Sequence, residues 1–179
     1  MDDMPILTRR RIEAEFAAGL YAVLREQLGE AAAKRILADA IIRMARASGA
    51  AMAAEAGGGL DGFRAVLPRW TAEDALRIEV LHASDTRFDF DVTRCRYAEM
   101  YRAMGLAELG AVLSCNRDGA FCEGFDPSLR LTRTQTIMAG ASHCDFRYRL
   151  VPPGDAVAAP QATENAAPAT PQERPPPRS

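Results

Sequence analysis

The sequence predicts an α+β fold: an antiparallel sheet of about four strands with N-terminal and central helices packed against one face. Three observations lead there. Apolar residues recur every three or four positions through the first third of the chain, at Ile12, Phe16, Leu20 and Leu24 and again at Ile36, Ala40, Ile41 and Met44. The period then falls to two in 75-ALRIEVLH-82 and 86-TRFDFDV-92. A second alternating pair, 129-LRLTRTQTI-137 and 144-CDFRYRL-150, follows another helical stretch. Helices and strands that occupy separate stretches, rather than alternating one for one, favour α+β over a parallel α/β sheet.

Taken in order, Thr8 offers a cap for the first helix, and the second begins at Glu30. The glycines between Gly49 and Gly59 end that pair. A short helix through Phe63 and Val66 stops at Pro68, and Thr71-Ala-Glu-Asp reads as a capping box for one more turn. Leu76, Ile78, Val80 and His82 share one strand phase, as do Phe88, Phe90 and Val92, with Ala-Ser-Asp as the turn between them. A helix through Tyr97, Met100, Tyr101 and Met104 breaks at Gly105, and another carries Leu106, Leu109, Leu113 and Cys115. The last two strands are joined by Met-Ala-Gly-Ala-Ser-His.

Composition narrows the partners. The net charge is −2, and every one of the 22 basic residues except Lys34 is arginine, a bias spread along the chain rather than a basic patch, so nucleic acid is not an expected partner. No apolar run reaches the roughly 20 residues that span a bilayer, and MDDMPILTRRR has neither the basic nor the apolar region of a secretory signal, so no membrane association and a cytoplasmic location are expected. Cys95, Cys115, Cys122 and Cys144 are then expected as free thiols that serve as core residues, metal ligands or nucleophiles. From Pro152 to Ser179 the chain holds eight of its eleven prolines and no aromatic, Ile or Leu residue. Such a segment cannot bury enough apolar surface to offset its ordering entropy. The expected organisation is one domain over residues 1–151 and a disordered Pro/Ala-rich tail over 152–179.

Several residues could carry chemistry. Cys144 shares the phase of Phe146, Tyr148 and Leu150, so it faces the core side of its strand, either as a small apolar filler or as a nucleophile reached through the adjacent glycine turn. His143 precedes it and points to the other face. Arg133 shares the phase of Leu129, Leu131 and Ile137, and Arg94 follows Phe88, Phe90 and Val92. A guanidinium on an apolar face needs a carboxylate, supplied by the protein or by a ligand. Cys115, Asp118 and Cys122 fall at i, i+3 and i+7 on one helix face and, with His143 and Cys144, could bind a divalent transition metal, although the paired Cys-x-x-Cys knuckles of a zinc site are missing. His82 reads as a core histidine at a strand end.

Read in order, FDFDVTRCRYAEMYRAMGL, LSCNRD and EGFDPSLRLTRTQTIMAGASHCDFRY resemble the L-2-amino-thiazoline-4-carboxylic acid hydrolase family over roughly residues 75–150. The first helices match in general character only, and the proline-rich tail lies outside the pattern. The resemblance implies hydrolytic opening of a cyclic isothiourea carboxylate to an N-carbamoyl-cysteine type product in bacterial cysteine formation, with no cofactor and a small-molecule carboxylate as substrate. In such a reaction Cys144, or alternatively Cys115, would attack the amidine carbon. Asp118 would protonate it, with His143 at the mouth of the site. Arg133 or Arg94 would clamp the carboxylate, and Asn116 and Thr134 would orient polar edges. The alternatives are a metal-dependent hydrolase using Cys115, Asp118 and Cys144, and a small-ligand binder without turnover. The residues leave the oligomeric state open.

Because the tail carries no apolar anchor, a chain lacking residues 153–179 is expected to melt at the same temperature as the full chain and to keep its activity. A fall of several degrees in a thermal scan would show that the tail docks.

Overall fold

The structure is a computed structural model that describes residues 4–151; the expected tail lies outside the described residues. Helices α1 (Ile6–Leu28) and α2 (Glu30–Ala56) are joined by Gly29 alone, whose φ of 82° is the left-handed conformation glycine adopts without steric cost. Two short helices follow, α3 (Gly59–Val66) and α4 (Pro68–Thr71), with Pro68 in the first turn of α4, where its missing N–H costs nothing. Strands β1 (Leu76–Ala83) and β2 (Arg87–Cys95) form a hairpin, and β2 runs directly into α5 (Arg96–Ala103). Helix α6 (Ala107–Gly110) passes through a π turn, Ala111–Cys115, into α7 (Asn116–Phe125). Strand β3 (Leu129–Thr132), a single 3-10 turn (Ile137–Ala139) and β4 (Cys144–Leu150) complete the chain. The sheet is antiparallel throughout, in the order β1-β2-β4-β3, so the fold is α+β as expected.

The inner face of the sheet presents Phe88, Phe90, Val92, Cys144, Phe146 and Tyr148, which form one core with Leu60, Phe63 and Val66 of α3 and Phe121 and Phe125 of α7. A second core joins α1, α2, α5 and the α6–π-turn segment through Ala14, Tyr21, Leu37, Tyr97, Tyr101 and Leu113. The outer face is charged. There Asp89 is only 1% exposed, because the guanidinium groups of Arg87 (2.7 Å) and Arg149 close over it. Burial alone would raise its pKa, but those two donors hold it below the usual carboxylate value.

Both long helices are rotated from the expected face, although Leu24 and Ile41 of the expected sets do pack inward. In α1 the buried residues are Ala14, Ala17 and Tyr21, while Ile12, Phe16 and Leu20 face outward. In α2 they are Ala33, Leu37, Ile41, Ala45 and Gly49, while Ile36 and Met44 are exposed. The seams are built from small residues because the backbones approach closely. A Cβ on Gly49 would sit 2.3 Å from the carbonyl oxygen of Phe121 in α7, and one on Gly124 would sit 2.0 Å from the carbonyl oxygen of Arg46 in α2. Gly49 therefore does not end α2; it is the point where α7 crosses it.

Other corrections are local. Thr8 lies inside α1, whose first turn has no side-chain cap. The Thr71 capping box does not form, because Glu73 and Asp74 adopt positive φ (55° and 59°) and the chain turns there. Strand β3 ends at Thr132, five residues short of Ile137. The β1–β2 pairing has two bulges: Thr93 has no opposite number between the Arg77–Arg94 and Ile78–Val92 pairs, and Leu81 none between Val80–Phe90 and His82–Asp89. The second bulge places His82 opposite outward-facing Asp89, and it is exposed rather than core. Among the described residues no helix is long and apolar enough to cross a membrane.

The α2–α7 crossing can be tested with two alanines in one helix. Gly124→Ala is expected to cost about 3 kcal/mol, because its methyl meets backbone that cannot yield. Gly119→Ala, with nothing within 4 Å of the added methyl, is expected to add about 0.5–1 kcal/mol by reducing backbone entropy in the unfolded chain. Equal effects in urea denaturation would show that the crossing tolerates a side chain.

Candidate functional site

A cavity of about 110 Å³ lies between the inner face of the sheet and the helices. Phe63 and Trp70 wall it from α3 and α4, Phe90, Phe146 and Tyr148 from the sheet, and Phe121 from α7. These rings form one continuous stack in which Trp70 meets Phe121 edge-on at 4.9 Å and Phe63 lies 4.5 Å from Tyr148. Into this apolar wall the fold inserts a compact polar group: Cys144 from the first position of β4, Cys115 from the π turn, Asp118 from the first turn of α7, and Arg133 from the β3–β4 connection. Cys115, the last residue of the π turn, and Asp118, three residues on in α7, share one side of the helical segment.

Arg133 has protein partners. It pairs with Asp118, its second nitrogen donates to the Cys115 carbonyl at 3.3 Å, and its plane lies 5.3 Å from the Phe146 ring centre. Burial pushes the Asp118 carboxyl up more than Arg133 draws it down, whereas Arg133 keeps its cation because Asp118 offsets its own desolvation. Two further guanidinium groups reach the cavity, from Arg10 of α1 and Arg117 of α7, and they share the single carboxylate of Glu13 at 2.7 and 2.8 Å. Three cations thus stand against two carboxylates.

The thiols are protonated at neutral pH. Burial raises Cys115 to about 12 and Cys95 to about 11. Burial also raises Cys144, opposed by the Ile137 N–H, which donates to its sulfur at 3.2 Å, and by the Arg133 guanidinium. Cys144 has only 6% of its surface accessible, and its sulfur faces the cavity. The arrangement places a buried carboxyl able to exchange a proton beside thiols that need a proton acceptor before they can attack.

Cys115, Asp118, Arg133 and Cys144 therefore surround one cavity. Arg94, Asn116, Thr134 and His143 do not line it. The bulge at Thr93 inverts the strand phase, turning Arg94 outward to Glu99 (2.9 Å) and Asp74 (2.8 Å) and bringing Cys95 in. Cys95 also caps α5, accepting from the Ala98 N–H at 3.4 Å. Thr134 is held by Asp145, its N–H at 2.9 Å and its hydroxyl at 2.7 Å. His143 lies on the outer face with Gln135 and Ser142, 3.7 Å from Asp91. Asn116 begins α7 away from the lining, and Cys122 is buried in the core. Among the described residues no three His, Cys, Asp or Glu side chains are grouped to hold a metal ion, so neither the Cys115–Asp118–Cys122 face nor the Cys115–Asp118–Cys144 set assembles as ligands. Sequence reasoning missed Cys95, Arg10, Arg117 and Trp70. For Arg10 the only available signal was its position on α1, whose buried face had been assigned elsewhere; for Arg117 it was its place next to Asp118 at the start of α7.

A family model described as L-2-amino-thiazoline-4-carboxylic acid hydrolase matches residues 9–148, so the likeness covers the first helices as well as the C-terminal half. No curated protein matches. Among solved structures the chain is similar to the crystal structure of the phenol-responsive sensory domain of the transcription activator PoxR with phenol. The identity is 16%, over 75% of this chain and 74% of that one, with a TM-score of 0.48.

Replacing Arg133 by methionine is expected to cost about 2–3 kcal/mol, because it leaves Asp118 desolvated without its cation. Adding Asp118→Asn is expected to recover at least half of that loss. The deficit of the single variant should widen from about pH 5 to about pH 8. A carboxyl whose folded pKa is raised contributes stability below its unfolded value and loses it as the pH climbs through the folded one. An Arg133→Met protein as stable as wild type across that range would show that the pair holds nothing in place.

Proposed function

The chain belongs to the L-2-amino-thiazoline-4-carboxylic acid hydrolase family, and from that premise we propose that its cavity hydrolyses a small cyclic isothiourea carboxylate at the amidine carbon. One observation carries the reading: Cys144 and Asp118 face an aromatic-walled cavity in which three guanidinium groups share two carboxylates. The missing negative charge is what a monoanionic substrate brings. The ring of the substrate packs between Phe121, Trp70 and Phe146, and its carboxylate completes the pairing of Arg10, Arg117 and Arg133.

In this mechanism Asp118 protonates the ring nitrogen, which makes the carbon between nitrogen and sulfur electrophilic. Asp118 is a carboxylate paired with Arg133 until substrate enters. Burial raises its pKa, so it takes up a proton as the substrate carboxylate displaces it from that pairing, and passes the proton on in this step. The Cys144 sulfur attacks that carbon, the ring carbon–sulfur bond breaks, and the departing sulfur takes up the proton released by the Cys144 thiol. The product is an S-linked isothiourea on Cys144. Water then adds to the same carbon; as the bond to Cys144 breaks, one of its protons goes to the Cys144 sulfur and the other returns to the Asp118 carboxylate. A urea is released and the thiol regenerated. Arg133 orients Asp118 until substrate enters. Cys115, with the higher thiol pKa, serves as a wall.

A second reading, binding without turnover, draws support from the protonated thiols and the apolar lining. Purified protein incubated with 2-amino-thiazoline-4-carboxylate separates the two. The wild type is expected to form the N-carbamoyl product, Cys144→Ser to lose at least about 100-fold of that rate while keeping its fold, and Cys115→Ser to retain most of it. Binding without product in the wild type would favour the second reading. Near-normal turnover by Cys144→Ser would remove Cys144 from the chemistry.

A further inference from the structure

The cavity has an end that the proposed reaction leaves unused. Tyr148 of β4 belongs to the lining and is 3% exposed. Among the described residues its backbone is bonded, but no hydrogen bond reaches its hydroxyl. Tyr21 has the only fully sealed hydroxyl without a partner among those residues, so the Tyr148 oxygen keeps some accessible surface, and the cavity is the space it opens to. The other uncharged polar groups of the lining are provided for. Ser114 and Trp70 belong to half-buried residues, and the Tyr97 hydroxyl donates to the Trp70 carbonyl at 3.2 Å. A buried hydroxyl left unpaired costs stability, so its place on the wall of a cavity points to a partner outside the chain.

Position separates this hydroxyl from the reacting groups. Cys144, Phe146 and Tyr148 alternate along β4, which puts the backbones of the first and the last about 13 Å apart. Between them Phe146 carries Arg133 against its ring at 5.3 Å and stacks on Tyr148 at 6.1 Å, their planes 16° apart. Around Tyr148 itself the neighbours are rings, Phe63 at 4.5 Å and Phe90 at 5.8 Å. A small cyclic isothiourea carboxylate with its amidine carbon at Cys144 and its carboxylate at the arginines spends both polar ends there, and a five-membered ring is too short to reach Tyr148 as well. Burial drives the Tyr148 pKa well above the ordinary tyrosine value, so the hydroxyl stays neutral, able to donate one hydrogen bond and to accept another.

We propose that the ligand of this cavity is longer than the ring alone: a carboxylate whose flat ring carries an apolar arm, which lies along Phe146 and Phe63 and ends in a hydrogen-bonding atom held by the Tyr148 hydroxyl. This names the substrate class of the reaction proposed above, and it rests on that reading for the placing of the carboxylate end.

Equilibrium binding of unreactive acids to the full chain tests the proposal. Trp70, the single tryptophan, lines the cavity and reports its occupancy by fluorescence. Two pairs bracket the span: benzoate with 4-hydroxybenzoate, and phenylacetate with 4-hydroxyphenylacetate. In at least one pair the hydroxylated acid is expected to bind the wild type about five- to tenfold tighter, and Tyr148→Phe is expected to bind both members alike. That variant keeps the ring and removes an unpaired hydroxyl, so it should melt no lower than the wild type; a fall of several degrees would show that the hydroxyl serves the fold and overturn the proposal. Equal affinity within both pairs, which would leave the hydroxyl to water, overturns it too, as does a preference that survives in Tyr148→Phe or the failure of all four acids to bind at about 1 mM. None of the four contains an isothiourea. Failure here therefore leaves the hydrolysis of 2-amino-thiazoline-4-carboxylate standing, and failure of that hydrolysis leaves an observed preference standing.

Discussion

The close crossing of α2 and α7 at Gly49 and Gly124 sets the geometry from which everything else follows. Each glycine faces the other helix's backbone at a distance no side chain permits. Ala45 beside Gly49 and Ala120 beside Phe121 keep the same seam narrow. Pinned this way, α7 turns Phe121 and Phe125 toward the sheet and carries Asp118 and the preceding Cys115 to the floor of the cavity. A looser crossing would move the carboxyl and the thiol together, away from Arg133 and Cys144, which reach the cavity from the sheet side. Packing and site geometry are therefore one constraint.

The cavity combines two conditions that usually oppose each other. Its aromatic wall excludes water, which raises the energy of any charge placed inside. The fold nevertheless brings three guanidinium groups to its edge and satisfies them incompletely, because Arg10 and Arg117 divide Glu13 between them. An anion entering such a space meets a field that bulk solvent does not screen. The same desolvation keeps the thiols protonated and Asp118 close to taking up a proton. Reactivity thus waits on the ligand, whose arrival changes both the charge and the water content of the site.

Much of this was readable from the residues, and the failures share a cause. Alternation at Phe88, Phe90 and Val92 and at Cys144, Phe146 and Tyr148 identified the inner face of the sheet, because a strand buried on one face must alternate. Cys115 and Asp118 could be paired because they lie three residues apart on a helical segment, and their grouping with Cys144 and Arg133 followed from the family resemblance. Arg94 and His82 went astray because a bulge leaves no mark in the sequence: one unpaired residue, Thr93 or Leu81, inverts every assignment beyond it. The α1 and α2 faces were misread because size was taken as the sign of burial. Where helices meet through alanine and glycine, the larger residues are left outside, and Phe16 marks a surface rather than a core.

The near-total preference for arginine over lysine also acquires a physical meaning. Arg64, Arg117, Arg133, Arg147 and Arg149 each bridge a carboxylate and a backbone carbonyl, ties that need the two-ended fork of a guanidinium. A chain stapled in this way carries one ε-amine, Lys34, and that amine is already held between Glu30 at 2.5 Å and Glu108 at 3.3 Å. Cyanate, acid anhydrides and reducing sugars, which age most proteins through their lysines, find a single guarded lysine amine to attack here, and the ties that hold the sheet to its loops lie outside their chemistry.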